Sequence, residues 1–281
     1  MKEKITKNYI SSIIKKRNPI SHKGDYGHAL IIAGSYGKIG AAVLNAKACL
    51  KTGVGLLTMH IPKCGYEILQ STIPEAMVSC DDQFKIISKS ITLDHFNAIG
   101  IGSGIGTASE TANVVKEILT TYKNPMVIDA DAINIISQNK SWLKLIPKNS
   151  IFTPHLKEFE RLVGIGKNEL EINNLQIEFS KKYFVYTVLK GHHTCISTPT
   201  GKCFINTTGN AGMAKGGTGD SLTGMLASLL AQGYSSKDAS IAAVYLHGLA
   251  GDIASVKTGE YSLLASDLID CIGNAFLSIL E

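Results

Sequence analysis

Arginine is nearly missing from this chain of 281 residues: Arg17 and Arg161 are the only two among 28 basic side chains. Readers of DNA sequence rely on arginine for two-pronged contacts to guanine, so this composition argues against that class. The net charge of +5 is modest. Much of the excess lies in the first 23 residues (Lys2, Lys4, Lys7, Lys15, Lys16, Arg17, Lys23), which read as a solvated surface. Cysteine is sparse as well. Cys49, Cys64, Cys80, Cys195, Cys203 and Cys271 form no C-x-x-C pair, which implies free thiols in a reducing compartment. Long apolar runs are also lacking. The charge-free stretch 221–236 is broken by Gly, Ser, Gln and Thr and falls short of the ~18 apolar residues of a membrane span. Charges flank Ile5, and no apolar leader core follows. These absences predict a cytoplasmic protein with no nucleic-acid or membrane partner. No Pro/Ser-rich linker, low-complexity tract or repeat interrupts the chain, so residues 1–281 read as one domain.

What is present is a globular composition, 44% hydrophobic with 27 glycines, long enough to bury a core without disulfides or metal. Short apolar runs at 29–33, 56–59, 98–101, 126–128, 151–152 and 185–189 read as buried strands. Helical patterns lie between them at about 40–51, 109–122, 156–163 and 170–182. The alternation predicts an α/β fold with a mostly parallel sheet between helices. The segments 194–197 and 202–205 around Pro199-Thr200-Gly201 predict a hairpin. Helices over about 220–230, 236–255 and 266–280 complete the chain.

The densest chemical signal is the run from Thr208 to Asp220, with five glycines in eleven residues before the apolar helix of Leu222, Leu226, Leu229 and Leu230. Glycines let successive N–H groups converge, and a helix N-terminus adds partial positive charge, so the run is suited to an anion. It lacks the spacing of a Walker A loop. Asp220 at its end is either a plain N-cap or a base acting on a hydroxyl nucleophile. Glycine loops at 34–41 and 100–106 follow strands, where ligands of open α/β sheets gather, but neither has dinucleotide-fingerprint spacing. Asp129 and Asp131, expected to point the same way from a strand end, could hold Mg2+ through water, or one of them caps the next helix. His155 starts a helix on which Glu158 closes a capping box. It either meets a phosphate ligand or is a surface histidine. His192 and His193, at a strand end, are expected on opposite faces, so no zinc site is assigned. His247 reads as a packed histidine.

These residues together resemble the ADP-dependent NAD(P)H-hydrate dehydratases of the ribokinase-like superfamily. The resemblance rests on the order of His22-Lys23-Gly24-Asp25-Tyr26-Gly27, Gly34-Ser35, Gly102-Ser103-Gly104, Asp129-Ala130-Asp131-Ala132 and Thr153-Pro154-His155. It continues through Leu189-Lys190-Gly191, Gly209-Asn210, Gly216 to Asp220, Leu246-His247-Gly248 and Ala265-Ser266-Asp267. It implies a three-layer α/β/α sandwich and a hydro-lyase that repairs hydrated NADH and NADPH. In that family ADP phosphorylates the ring hydroxyl, and loss of phosphate restores the cofactor. The resemblance implies substrate contacts at Ala41, Gly104, His155 and Asp220. It implies AMP contacts at Lys190, Gly191, His192, His193, Thr194 and Gly219, and an anion hole at Gly216, Gly217, Thr218 and Gly219. Mg2+, with ADP or ATP as phosphoryl donor, a homotetramer and cooperation with a separate epimerase are implied too. The chain departs from the family at Ala211, often Pro there, and at His192, often a small residue. The alternative is an ATP-dependent kinase of a small alcohol such as hydroxyethylthiazole.

Overall fold

The computed structural model describes residues 2–280. Ten strands form one sheet: β1 (Lys2–Lys4), β2 (His28–Ile32), β3 (Leu56–Ile61), β4 (Met77–Cys80) and β5 (Ala98–Ile101). The others are β6 (Met126–Ile128), β7 (Ile151–Phe152), β8 (Tyr186–Leu189), β9 (Cys195–Ser197) and β10 (Cys203–Ile205). Their order across the sheet is β1-β10-β9-β8-β7-β6-β5-β2-β3-β4. All neighbours are parallel except the β8–β9 and β9–β10 pairs. The expected hairpin is the second of these.

Successive strand residues point to opposite faces, and here each face has its own core. Ile31, Met59, Ala98, Val127 and Ile151 lie in one apolar cluster, with the helices Ile39–Lys51, Thr218–Ala231 and Ser236–Thr258. Leu30, Ile32, Ile99, Met126, Ile128 and Phe152 lie in the other, with the helices Ser109–Thr121, Ala130–Gln138 and Leu156–Val163. Both faces being buried explains why these strands are unbroken aliphatic runs. The result is the expected three-layer α/β/α sandwich.

Helix Thr218–Ala231 carries the site, and its position is set by a close crossing. A Cβ on Gly224 would lie 2.2 Å from the Asn45 carbonyl oxygen, so only glycine lets helix 218–231 approach helix 39–51. Leu222, Met225, Leu226 and Leu229 then bury fully, at roughly 1.5–3 kcal/mol each for a complete side chain. Helix Ser236–Thr258 has the length and hydropathy of a membrane span, but 72% of its most apolar window is buried within the fold. It is a core helix.

Some elements differ from the sequence reading. Strands β1 and β4 stand where no apolar run marks them, because they are edges held through backbone pairing. The basic N-terminal segment is more than a solvated surface: Thr6 caps helix Lys7–Ile13, which buries Ile10. The last expected helix is two, Ala265–Asp270 and Ile272–Leu280.

Candidate active site

The loops after β6, β7 and β8 meet the glycine run at one cavity of roughly 780 Å3. The run is held in place before it reaches the helix. The Asp252 carboxylate accepts from Gly209 N (2.8 Å) and Asn210 Nδ2 (3.0 Å), and Thr208 Oγ1 donates to the Tyr245 carbonyl at 2.8 Å. Gly217, at φ +93°, is the N-cap of helix 218–231. A left-handed φ here favours glycine, and a Cβ would also strike Leu44 Cδ1 at 2.6 Å. Asp220 is therefore the third residue of the helix, and the plain N-cap reading does not hold. The N–H groups of Thr218, Gly219 and Asp220 have no partner within the helix, and these three residues line the cavity. A helix start so placed is suited to an anion.

Four carboxylates, Asp129, Asp131, Glu158 and Asp220, and the Lys190 ammonium set the electrostatics. Asp129, buried at the end of β6, accepts from Thr153 Oγ1 (2.7 Å), Lys190 Nζ (2.9 Å) and Ser103 Oγ (3.1 Å). Burial alone would raise its pKa, but the Lys190 charge and hydrogen bonds from Lys190, Thr153 and Thr223 hold it below the usual carboxylate range. Burial alone would depress Lys190, but Asp129, Glu158 and Asp220 outweigh it and raise the ammonium's pKa. Asp220 is pushed up to about 6, first by burial and then by the Asp129 charge, with Asp131 adding to it and Ser103 and Lys190 opposing. A carboxylate so placed is ionised at neutral pH yet more basic than an ordinary aspartate. Lys190 Nζ lies 3.3 Å from where a Gly219 Cβ would stand, which sets the ammonium against the helix N-terminus.

The other expected residues are placed as follows. Gly191, His192, Thr194, Gly216 and His155 line the cavity. His155 is the N-cap of helix 156–163, its Nδ1 accepting from Glu158 N while Glu158 Oε2 accepts from His155 N. That is the expected capping box. Ala41 and Gly104 are outside the cavity wall. They face each other, a Cβ on Gly104 coming within 3.1 Å of Ala41 Cβ, one residue from Ser103. The expectation that Asp129 and Asp131 project together from a strand is not met, because the strand stops at Ile128. Asp131 is in the first turn of helix 130–138, accepts from Gly106 N (2.9 Å) and pairs with Lys38 Nζ (3.6 Å). His192 and His193 do not alternate across a strand either. β8 ends at Leu189, and their rings sit 4.2 Å apart in the turn after it. His193 does not line the cavity. His247 is packed as expected, its Nε2 3.0 Å from Ser221 Oγ and from the Thr218 carbonyl.

Ser103, Thr153 and Asp252 had no assigned role from sequence. They act by hydrogen bonding to partners 24 to 43 positions away, which no local pattern reveals. Among the described residues, no group of three or more His, Cys, Asp or Glu side chains is placed to hold a metal. Asp129 is already engaged by Lys190, Thr153 and Ser103, and Asp131 by Gly106 N and Lys38, so the two do not offer a shared resident metal site. They suit an ion that arrives on nucleotide phosphates.

Residues 29–274 match a family model described as NAD(P)H-hydrate dehydratase. The chain is 33% identical over 272 residues to the ADP-dependent (S)-NAD(P)H-hydrate dehydratase of Bacillus subtilis, covering 95% of both. It is 34% identical over 276 residues to the bifunctional NAD(P)H-hydrate repair enzyme of Moorella thermoacetica, covering 95% of this chain and 52% of that one. The chain thus spans about half the length of the bifunctional relatives it matches. The crystal structure of the ADP/ATP-dependent Bacillus subtilis dehydratase, co-crystallized with ATP/Mg2+, superposes at TM-score 0.88 with 31% identity, covering 99% of this chain and 98% of that one. A ribokinase from Thermotoga maritima shares the fold at TM-score 0.55 and 13% identity, over 87% of this chain and 98% of that one. The sandwich is ribokinase-like.

Proposed function

Because the chain belongs to the NAD(P)H-hydrate dehydratase family, we propose that it dehydrates the S form of hydrated NADH and NADPH at the expense of ADP. The observation that carries this reading is Asp220: a base of pKa about 6 beside unpaired helix N–H groups and the Lys190 ammonium. Such a carboxylate repels a ground-state phosphate, so its use lies in taking a proton from a hydroxyl.

The ring hydroxyl oxygen attacks the β-phosphorus of ADP, Asp220 accepts its proton, and the phosphorus–oxygen bond to AMP breaks. The N–H groups of the helix start and Lys190 receive the charge on the transferring phosphoryl group. The phosphate ester then leaves the ring carbon while the neighbouring carbon gives up a proton, which restores the ring double bond. AMP and inorganic phosphate are the products.

Mg2+ bound to the nucleotide phosphates would neutralise their charge beside Lys190 and the helix start; the Bacillus subtilis relative was co-crystallized with ATP/Mg2+. The reading includes a cytoplasmic homotetramer working alongside an epimerase of the hydrate. The bifunctional names of the longer relatives support a coupled repair pathway.

The test adds the protein, Mg2+ and ADP to hydrated NADH. Recovery of reduced-nicotinamide absorbance, with one AMP and one phosphate per NADH, is expected. No recovery with either ADP or ATP would overturn the reading. A stable phosphorylated product from a small alcohol would establish the kinase alternative.

A further inference from the structure

Two aromatic side chains stand exposed at the carboxyl ends of the strands without serving the core. Tyr36, in the loop after β2, is 62% exposed and Phe84, in the loop after β4, is 54% exposed. Their rings lie 6.0 Å apart at 43°, and Lys85 Nζ is 5.5 Å from the Tyr36 ring centre.

The backbone beneath them is fixed. The buried Asp81 carboxylate accepts from Gln83 N (2.8 Å), Ser88 N (2.7 Å) and Lys89 N (3.0 Å). Tyr36 N donates to the Lys85 carbonyl (2.9 Å), and Cys64 N donates to that of Phe84 (3.1 Å). A rigid loop with no regular structure thus presents two rings to solvent.

The loop that carries Tyr36 connects to the surroundings of Asp220 through Lys38, which pairs with Asp131, one of the charges acting on Asp220. Tyr36 is two residues before Lys38, whose ammonium pairs with Asp131 and whose carbonyl borders Gly104. Ser35 Oγ donates to the Gly104 carbonyl at 2.7 Å, which joins the loops after β2 and β5. The sheet order reverses between these two strands, where open α/β sheets hold ligands. Lys190, Gly191 and the glycine run line the cavity with Asp220, whereas Tyr36 and Phe84 stand outside its wall.

On the reading of function above, a dinucleotide whose hydrated ring meets Asp220 must place its other half away from the ADP donor. We infer that Tyr36 and Phe84 form a stacking subsite for the purine base of the hydrated dinucleotide, with Lys38 and Lys85 beside its pyrophosphate. Base–aromatic stacking tolerates any purine, and a fixed platform loses little freedom on binding. The subsite supplies affinity to the non-reacting half and leaves the chemical step alone.

The experiment compares the parent with Tyr36→Ala, Phe84→Ala and Phe84→Trp, on hydrated NADH and on the hydrate of reduced nicotinamide mononucleotide, which lacks the purine. Each Ala variant should raise KM for hydrated NADH about ten-fold with kcat unchanged. Phe84→Trp should keep the parent KM. The KM for ADP and for the mononucleotide hydrate should be the same in all four proteins. A KM for hydrated NADH within about two-fold of the parent in both Ala variants would overturn the subsite. So would an equal loss on the mononucleotide, or a loss confined to ADP. Equilibrium binding of NADH, read by its fluorescence, separates the two readings. Weaker binding in the Ala variants supports the subsite even if the parent turns over no hydrate, and equal binding overturns it.

Discussion

The Asp220 carboxyl titrates at about 6 in the fold against about 4 in an unfolded chain, because burial and the Asp129 charge both oppose its ionisation. The folded state therefore holds this proton more tightly, and stability falls as pH rises between those two values. Above pH 6 the deficit levels off at about 3 kcal/mol. Asp220→Asn should raise the melting temperature at pH 8, and the gain should vanish near pH 4. An equal offset at both pH values would contradict this. Asp129 is the reverse case, since its pKa is depressed by Lys190. Lys190→Met leaves a buried carboxylate unpaired and should cost about 3–5 kcal/mol near neutral pH. The double variant Asp129→Asn with Lys190→Met should recover much of that loss in denaturant titrations. Additive losses would show that the two residues do not act as a pair.

At the scale of elements, the glycine run depends on helix Ser236–Thr258 for its shape. Asp252→Ala removes the acceptor of Gly209 N and Asn210 Nδ2. It should lower stability by about 1–3 kcal/mol and weaken ADP binding in a calorimetric titration. Unchanged ADP affinity would show that the loop holds its shape without Asp252. The same run was legible in the sequence because its signal is local: glycines, then an acid, then an apolar helix. The central strands were legible because burial on both faces demands unbroken aliphatic runs. Strands β1 and β4 were not, since a half-exposed or polar edge leaves no such trace. The Asp129–Lys190 pair joins residues 61 positions apart, so each side chain was visible alone and the bond between them was not. The two histidines were misplaced because a strand end and a turn look alike once apolar alternation stops.

For the whole molecule, a sheet with both faces covered leaves the carboxyl ends of its strands as the place where loops converge. On the proposed function, donor and acceptor both bind there. ADP with Mg2+ should therefore raise the melting temperature by mass action, by about 2.7 kcal/mol of stability at a hundred-fold excess over Kd. No shift with any adenine nucleotide would remove the donor site from the cavity. The most direct measurement is the pH profile of dehydration, at saturating ADP and Mg2+, for the parent and Asp220→Asn. The parent's kcat should climb with pH through about 6. The Asn variant, folded and with ADP affinity retained, should be slower by at least about 10²-fold at pH 8. A variant within a few-fold of the parent across the profile would contradict the role of Asp220 as the base.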